Sequence, residues 1–116
     1  MSLASGLAAE ATAREYLVAQ GMQWVESNYR CRLGEIDLIM RDDNGLVFVE
    51  VRSRTSNAYG GAVESITYGK QQKLLKTASL YLLAHRLQDK VTARFDVISI
   101  EGKPPQLTWI KNAFGA

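Results

Sequence analysis

Three side chains in the middle of this chain carry its most chemically suggestive pattern: Asp37, Glu50 and Arg52. Both acids interrupt apolar runs, GEIDLIM and LVFVEV, at positions where core residues belong. A buried carboxylate needs a hydrogen-bond partner, a cation or a raised pKa. Two carboxylates about 5 Å apart repel by roughly 3 kcal/mol at an effective dielectric of about 20. A fixed positive group or a hard metal bound through oxygens offsets that cost. Arg52, two residues beyond Glu50 and facing the same way, is one such group.

The elements that must position these groups are two strands, residues 35–41 and 46–52, joined through Asp42-Asp43-Asn44-Gly45. Asn-Gly between apolar runs is a strong short-range hairpin signal. Alternation places Glu35, Asp37 and Ile39 on one face of the first strand, and Phe48, Glu50 and Arg52 on one face of the second. An even loop, such as a two-residue Asn44-Gly45 turn, brings Asp37, Glu50 and Arg52 to the same side. An odd loop separates them. Leu46, Val47, Phe48, Val49 and Val51 are apolar on both faces, as in a central strand covered from both sides.

Asp37 followed by Glu50-Val51-Arg52 resembles the PD-(D/E)xK nuclease signature, an acid on one strand and acid-x-lysine on the next. The ordered set GEIDLI, VFVEVRSR, Lys70-Gln71 and RFDVI is similar to the bacterial YraN family over nearly the whole chain. That family is assigned to the restriction-endonuclease-like fold and compared with archaeal Holliday-junction resolvases. The resemblance implies an α/β domain with a central mixed sheet flanked by helices in the order α-β-β-β-α-β-β. It implies Mg²⁺ or Mn²⁺ held by Asp37 and Glu50, with help from the Val51 carbonyl. It also implies a nucleic-acid substrate, DNA foremost, with branched forms in view and a homodimer suspected. The departure from the pattern is Arg52, which stands where the usual lysine would be. Arginine keeps the charge but stays protonated, so it cannot serve as a base.

Residues 7–20 read as an alanine-rich helix ended by Gly21. Leu7, Ala11, Leu17 and Val18 form its expected apolar arc, and Glu10 and Arg14 fall inside that arc. Two readings stand side by side. One is an i,i+4 Glu10–Arg14 pair worth a few tenths of a kcal/mol. In the other, Glu10 completes the metal site, as a first-helix acid does in resolvase-like relatives.

Residues 23–32 read as a strand and a basic turn, with Trp24 and Val25 expected in the core. Arg30 and Arg32 could touch phosphates or simply offset nearby acids. Residues 53–61, SRTSNAYGG, mark a loop next to the proposed site. Arg54 and Tyr59 there could meet a phosphate and a base, or belong to an ordinary surface loop.

Residues 66–87 contain a second long helix, with Thr67 as N-cap. Leu74, Leu75, Ala78, Tyr81 and Leu82 form its buried stripe. Lys70, Lys73 and Lys76 make a basic ridge, either a solvated face or a phosphate-binding one. Gln71 could reach the site or the nucleic-acid backbone. His85 has no metal-ligand spacing and reads as structural. Thr92–Glu101 is a strand with Phe95 and Val97 on one face and Ile98 and Ile100 on the other. A strand–helix–strand unit implies that it runs parallel to the strand carrying Glu50. Asp96 reads as the structural partner of an arginine. Residues 107–110 are expected to form a short edge strand.

A chain of 116 residues makes one domain, residues 1–116, with Met1-Ser2-Leu3 compatible with an expression remnant. The net charge of +2 implies no particular partner by itself, although 14 basic side chains would face 9 acidic ones if three acids held metal. One cysteine, Cys31, excludes an internal disulfide and a cysteine zinc site. No apolar run is long enough to span a membrane, and no secretory signal is evident, so a cytoplasmic protein is expected. Three functions follow. The first is metal-dependent hydrolysis of DNA by Asp37, Glu50, Glu10 and Arg52. The second is a nuclease-fold module that binds nucleic acid through Arg30, Arg32, Arg54, Lys70, Gln71 and Lys73 with little catalysis. The third is a protein-binding α/β domain whose acids are structural.

Overall fold

The computed structural model describes residues 3–54 and 63–115, side chains from residue 6 onward in the first helix. Tyr59 and most of the 53–61 loop lie outside the described residues. The order is α1 (Leu3–Ala19), β1 (Gln23–Cys31), β2 (Gly34–Arg41), β3 (Gly45–Arg54), α2 (Tyr68–Ala84), β4 (Thr92–Glu101) and β5 (Gln106–Phe114). This is the α-β-β-β-α-β-β order expected. One five-stranded sheet runs β1-β2-β3-β4-β5. Its β1–β2, β2–β3 and β4–β5 pairs are antiparallel, and β3–β4 is parallel. The sheet is therefore mixed. The long connection through α2 is what a parallel pair needs.

β3 is central and buried on both faces, from Leu46 to Glu50. Phe48 joins Ile36, Ile39, Leu74, Ala78, Tyr81, Phe95 and Val97 in the core under α2. Val47 and Val49 join Ala13, Leu17, Leu38, Met40 and Ile98 in the core under α1. The two sets on β4, Phe95 with Val97 and Ile98 with Ile100, separate between these cores as alternation required.

Three local readings change. On α1, Leu7 and Val18 are about half exposed, while Ala13 and Leu17 are fully buried. An alanine-rich helix gives little hydrophobic contrast, so its wheel does not fix the buried face. The face observed runs Gly6, Ala9, Glu10, Ala13 and Leu17, at helical spacing. Trp24 and Val25 are 49% and 39% exposed, because β1 is an edge strand with only a thin cover. Trp24 instead carries the Arg14 guanidinium 4.9 Å above its ring. β5 extends over nine residues rather than four.

The β2–β3 turn is even, as the convergence of the acids requires. Its central residues are Asp43 and Asn44, not Asn44 and Gly45. The Asp42 Oδ1 accepts from the Asn44 and Gly45 amides at 2.9 and 3.0 Å, and the Asp42 amide donates to the Gly45 carbonyl at 3.0 Å. Gly45 begins β3 and is glycine for another reason: a Cβ there would collide with the Thr92 carbonyl oxygen on β4.

Asp96 is fully buried and satisfied from three directions. Arg94 donates to both its oxygens at 2.9 and 3.2 Å, Trp109 Nε1 to one at 2.8 Å, and the Asn112 amide to the other at 2.9 Å. It fastens β5 to β4, the structural role expected of it. Replacing it by alanine strands the Arg94 and Trp109 donors. Asp96→Ala should cost roughly 2–4 kcal/mol in urea unfolding. A loss below about 0.5 kcal/mol would show that β5 docks without this carboxylate.

Candidate active site

Local pairing decides where the acids meet. The β2–β3 ladder pairs Leu38 with Val49, Ile39 with Phe48, Met40 with Val47 and Arg41 with Leu46. One step further, the same register sets Asp37 opposite Glu50, the spacing of a cross-strand neighbour. There the strands change partners: the Val51 amide donates to Asp37 Oδ2 at 2.8 Å. Strict alternation also breaks at Asp37. Ile36 and Ile39 both pack under α2, whereas Leu38 and Met40 pack under α1. A side chain thus takes a hydrogen bond that a ladder would give to a backbone carbonyl.

Beside this junction is a cavity of about 320 Å³. It is lined by Glu10 from α1, Asp37 from β2, Glu50, Arg52 and Arg54 from β3, and Lys70 from α2. Gly6 and Ala9, small residues on the same face as Glu10, leave it open toward α1. Elements from both faces of the sheet thus deliver charged groups to one place.

The electrostatics are those of a crowded acid cluster. Burial, then the charge of Glu50, push the Asp37 carboxyl up to about 8, against the Val51 amide that favours its ionised form. Asp37 and Glu50 also share a hydrogen bond. Burial likewise raises Glu10, which hydrogen-bonds Asn28 and Asp37 and feels Glu35 and Glu50. Lys70 Nζ lies 3.0 Å from Glu50 Oε2 and supplies the positive charge on that nearly inaccessible carboxylate. At neutral pH Asp37 keeps its proton, while Lys70 Nζ pairs with Glu50.

Arg52 does not play the part that its strand position suggested. Among the described residues no ion pair joins it to Asp37 or Glu50, and its Nε is buried without a hydrogen-bond partner. Lys70 instead comes from α2. Sequence spacing could not reveal that, because the pair is separated by twenty residues and made only in the tertiary fold.

The remaining expected contacts divide as follows. Arg30 pairs with Glu35 at 2.6 Å across the β1–β2 hairpin, and Arg32 is exposed in its turn. Arg54 is drawn to Glu101 on β4. Glu10 points to the acid cavity, and Arg14 to Trp24, so the i,i+4 pair is replaced by two separate contacts. Gln71 Nε2 donates to the Ile66 carbonyl at 3.1 Å, closing the start of α2. Lys73 borders a second cavity of about 420 Å³ with Leu33, Gly34, Glu35, Thr67 and Lys70. His85 caps α2 and stacks on Tyr81, a structural role.

A hard divalent cation suits the donor chemistry, since Glu10, Asp37 and Glu50 offer only carboxylate oxygens. It would also offset the burial and the Glu50 charge that keep a proton on Asp37. Among the described residues no three acid, histidine or cysteine side chains form a ready-made metal cage. A cation would draw the carboxylates together and release the Asp37 proton.

Comparison with known proteins places the chain. The model of the family described as "Uncharacterised protein family UPF0102" matches residues 9–100. This chain belongs to the UPF0102 family, which is the YraN family. A UPF0102 protein of Legionella pneumophila strain Philadelphia 1 is 54% identical over 116 residues, covering 100% of this chain and 98% of that protein. A UPF0102 protein of Alkalilimnicola ehrlichii is 49% identical over 114 residues, covering 98% and 89%. One from Coxiella burnetii strain RSA 331 is 48% identical over 108 residues, covering 93% and 89%. Among the described residues no helix is long and apolar enough to cross a membrane.

The raised Asp37 pKa has a stability signature. The folded value is about 8 and the ordinary one 3.8, so between these the folded state keeps a proton that the unfolded state loses. This group's contribution therefore declines as pH rises from about 4 to 8 and is flat above. Asp37→Asn keeps an acceptor for the Val51 amide and a donor for Glu50, but no charge. Thermal unfolding should show the variant gaining stability on wild type as pH rises toward 8. Curves that stay parallel from pH 5 to 8 would refute the buried, proton-holding Asp37.

Proposed function

We propose that this UPF0102 protein is a metal-dependent nuclease that hydrolyses phosphodiester bonds in DNA, branched DNA among its substrates, on a restriction-endonuclease-like fold. The observation that carries the reading is the meeting of Asp37 and Glu50 across β2 and β3 in a cavity also lined by Glu10 and Lys70. Burial of two carboxylates side by side costs stability, and a binding site for a cation gives that cost a purpose.

Asp37, Glu50 and Glu10 would hold Mg²⁺ or Mn²⁺, with the Val51 carbonyl nearby. When bound, the ion polarises a phosphate oxygen and makes a water a stronger acid. The protein's own groups do the rest. Glu10, on the opposite wall from Lys70, orients the attacking water through its carboxylate. The Val51 amide holds Asp37 in place while its proton leaves. Arg52 and the Lys70–Lys73 ridge face the anionic strand and localise it electrostatically. Arg52 contributes charge only.

A second reading has one specific observation in its favour. Lys70 Nζ already lies 3.0 Å from Glu50 Oε2, so that carboxylate has a counter-charge without an ion. On that reading the protein is a nuclease-fold module that binds nucleic acid through the lysine ridge and hydrolyses little.

Nuclease assays with Mg²⁺ or Mn²⁺ on single-stranded, duplex and branched DNA discriminate the two. Wild type should cleave at least one of them, and Asp37→Ala and Glu50→Ala should each lose at least about 100-fold in rate. Mn²⁺ should raise the melting temperature of wild type and not of Asp37→Ala. Because one proton leaves as the ion enters, Mn²⁺ affinity should rise roughly tenfold per pH unit and level off above about pH 8. Cleavage retained by both alanine variants sinks the assignment. Salt-sensitive DNA binding with no response to Mn²⁺ favours the binding module.

A further inference from the structure

Three cationic side chains line the cavity; Arg54 is drawn to Glu101 on β4, and the other two differ in standing. Arg52 lines it from β3, with its Nε already buried and its guanidinium on neither acid. Lys70 lines it from α2, with its Nζ on Glu50 Oε2 at 3.0 Å. The Glu50 side chain is 5% exposed, whereas that of Lys70 is 44% exposed. The Lys70 side chain therefore touches the buried acid at its tip while nearly half of its surface stays in reach of solvent.

The start of α2 is built to hold this lysine in place. Thr67 is the N-cap, and its Oγ1 accepts from the Lys70 amide at 3.1 Å. Gln71 Nε2 bonds the Ile66 carbonyl, and Ile66 is buried in the core under α2. Lys70 thus projects from a helical turn anchored at two points. Its four-carbon stem carries three donors around a compact charge, so one ammonium can serve a carboxylate and a phosphate oxygen together. Arginine on the strand lacks that freedom when its Nε is packed.

We propose that Lys70, rather than Arg52, supplies the working positive charge of the active site. It balances Glu50 in the free protein and donates to a non-bridging oxygen of the scissile phosphodiester when the strand arrives. The acid-x-lysine pattern is then completed across elements, acids from the strands and cation from the helix. The inference rests on the phosphodiester-hydrolysis reading of this site. It does not require Lys70 to lose a proton.

The test compares Lys70→Met, Lys70→Arg, Lys73→Met and wild type on one cleavable DNA substrate with Mn²⁺. Lys70→Met should lower kcat about 100-fold or more while KM changes less than about threefold, because the contact strengthens as charge develops on the phosphate. Lys70→Arg should recover at least about tenfold of that loss, since charge is what is needed. Lys73→Met, on the adjoining ridge, should move KM and leave kcat within about twofold. Independently of turnover, Lys70→Met should still melt cooperatively and still be stabilised by Mn²⁺, at a lower concentration than wild type because no ammonium competes for Glu50.

Any of three kinetic results overturns the proposal: wild-type kcat in Lys70→Met, a loss in KM alone, or arginine no better than methionine. Loss of the Mn²⁺ response in Lys70→Met also overturns it, since Lys70 would then only be holding the acids in place. A wild type inactive on every DNA form defeats the hydrolysis reading itself, which is a different outcome from active wild type with an indifferent Lys70.

Discussion

The burial of two facing carboxylates between β2 and β3 is the constraint around which this fold is arranged. In an apolar layer, Asp37 and Glu50 repel each other and lose their hydration. The protein answers with three devices. A proton stays on Asp37, whose carboxyl is pushed up to about 8. The Val51 amide leaves the ladder to bond Asp37. Lys70 reaches in from α2 to cover Glu50. Removing any one leaves a charge or a polar atom without compensation.

Those devices explain several features that look unrelated. The β2–β3 ladder gives way at Asp37 because a side chain has taken the bond that a backbone carbonyl would take. α1 turns Gly6, Ala9 and Glu10 toward the opening, since larger side chains would fill it. α2 starts with a capped, doubly anchored turn, so that its third residue arrives at a fixed place. Far from the cavity, Asp96 is also buried, but it is satisfied by Arg94, Trp109 and the Asn112 amide. The contrast is informative. One buried acid is fully bonded and fastens β5, whereas the other two are crowded together beside an open cavity.

Much of this was legible in the residues. A run apolar on both faces, interrupted once by Glu50, marks a central strand with a costly acid, and β3 is that strand. The even turn and the parity of Asp37 and Glu50 were readable too, although Asp42 shifts the turn to Asp43-Asn44 by capping it with its own carboxylate. Reading failed where contrast was low or neighbours were distant. Alanines hid the buried face of α1. Trp24 and Val25 looked like core because their side chains are apolar, but an edge strand has no layer to cover them. Arg52 seemed the natural counter-charge because it is near in sequence, and the fold gave that place to Lys70.

The sequence alone determined the element order, the central strand, the acids that interrupt it and membership of the UPF0102 family. These depend on local propensity, alternation and ordered motifs, all of which act between near neighbours. Tertiary structure decided which cation meets Glu50, which face of α1 is buried, and that Glu10 and Lys70 reach one cavity from opposite sides of the sheet. Those outcomes depend on packing geometry and desolvation between segments far apart in the chain, for which no spacing rule exists.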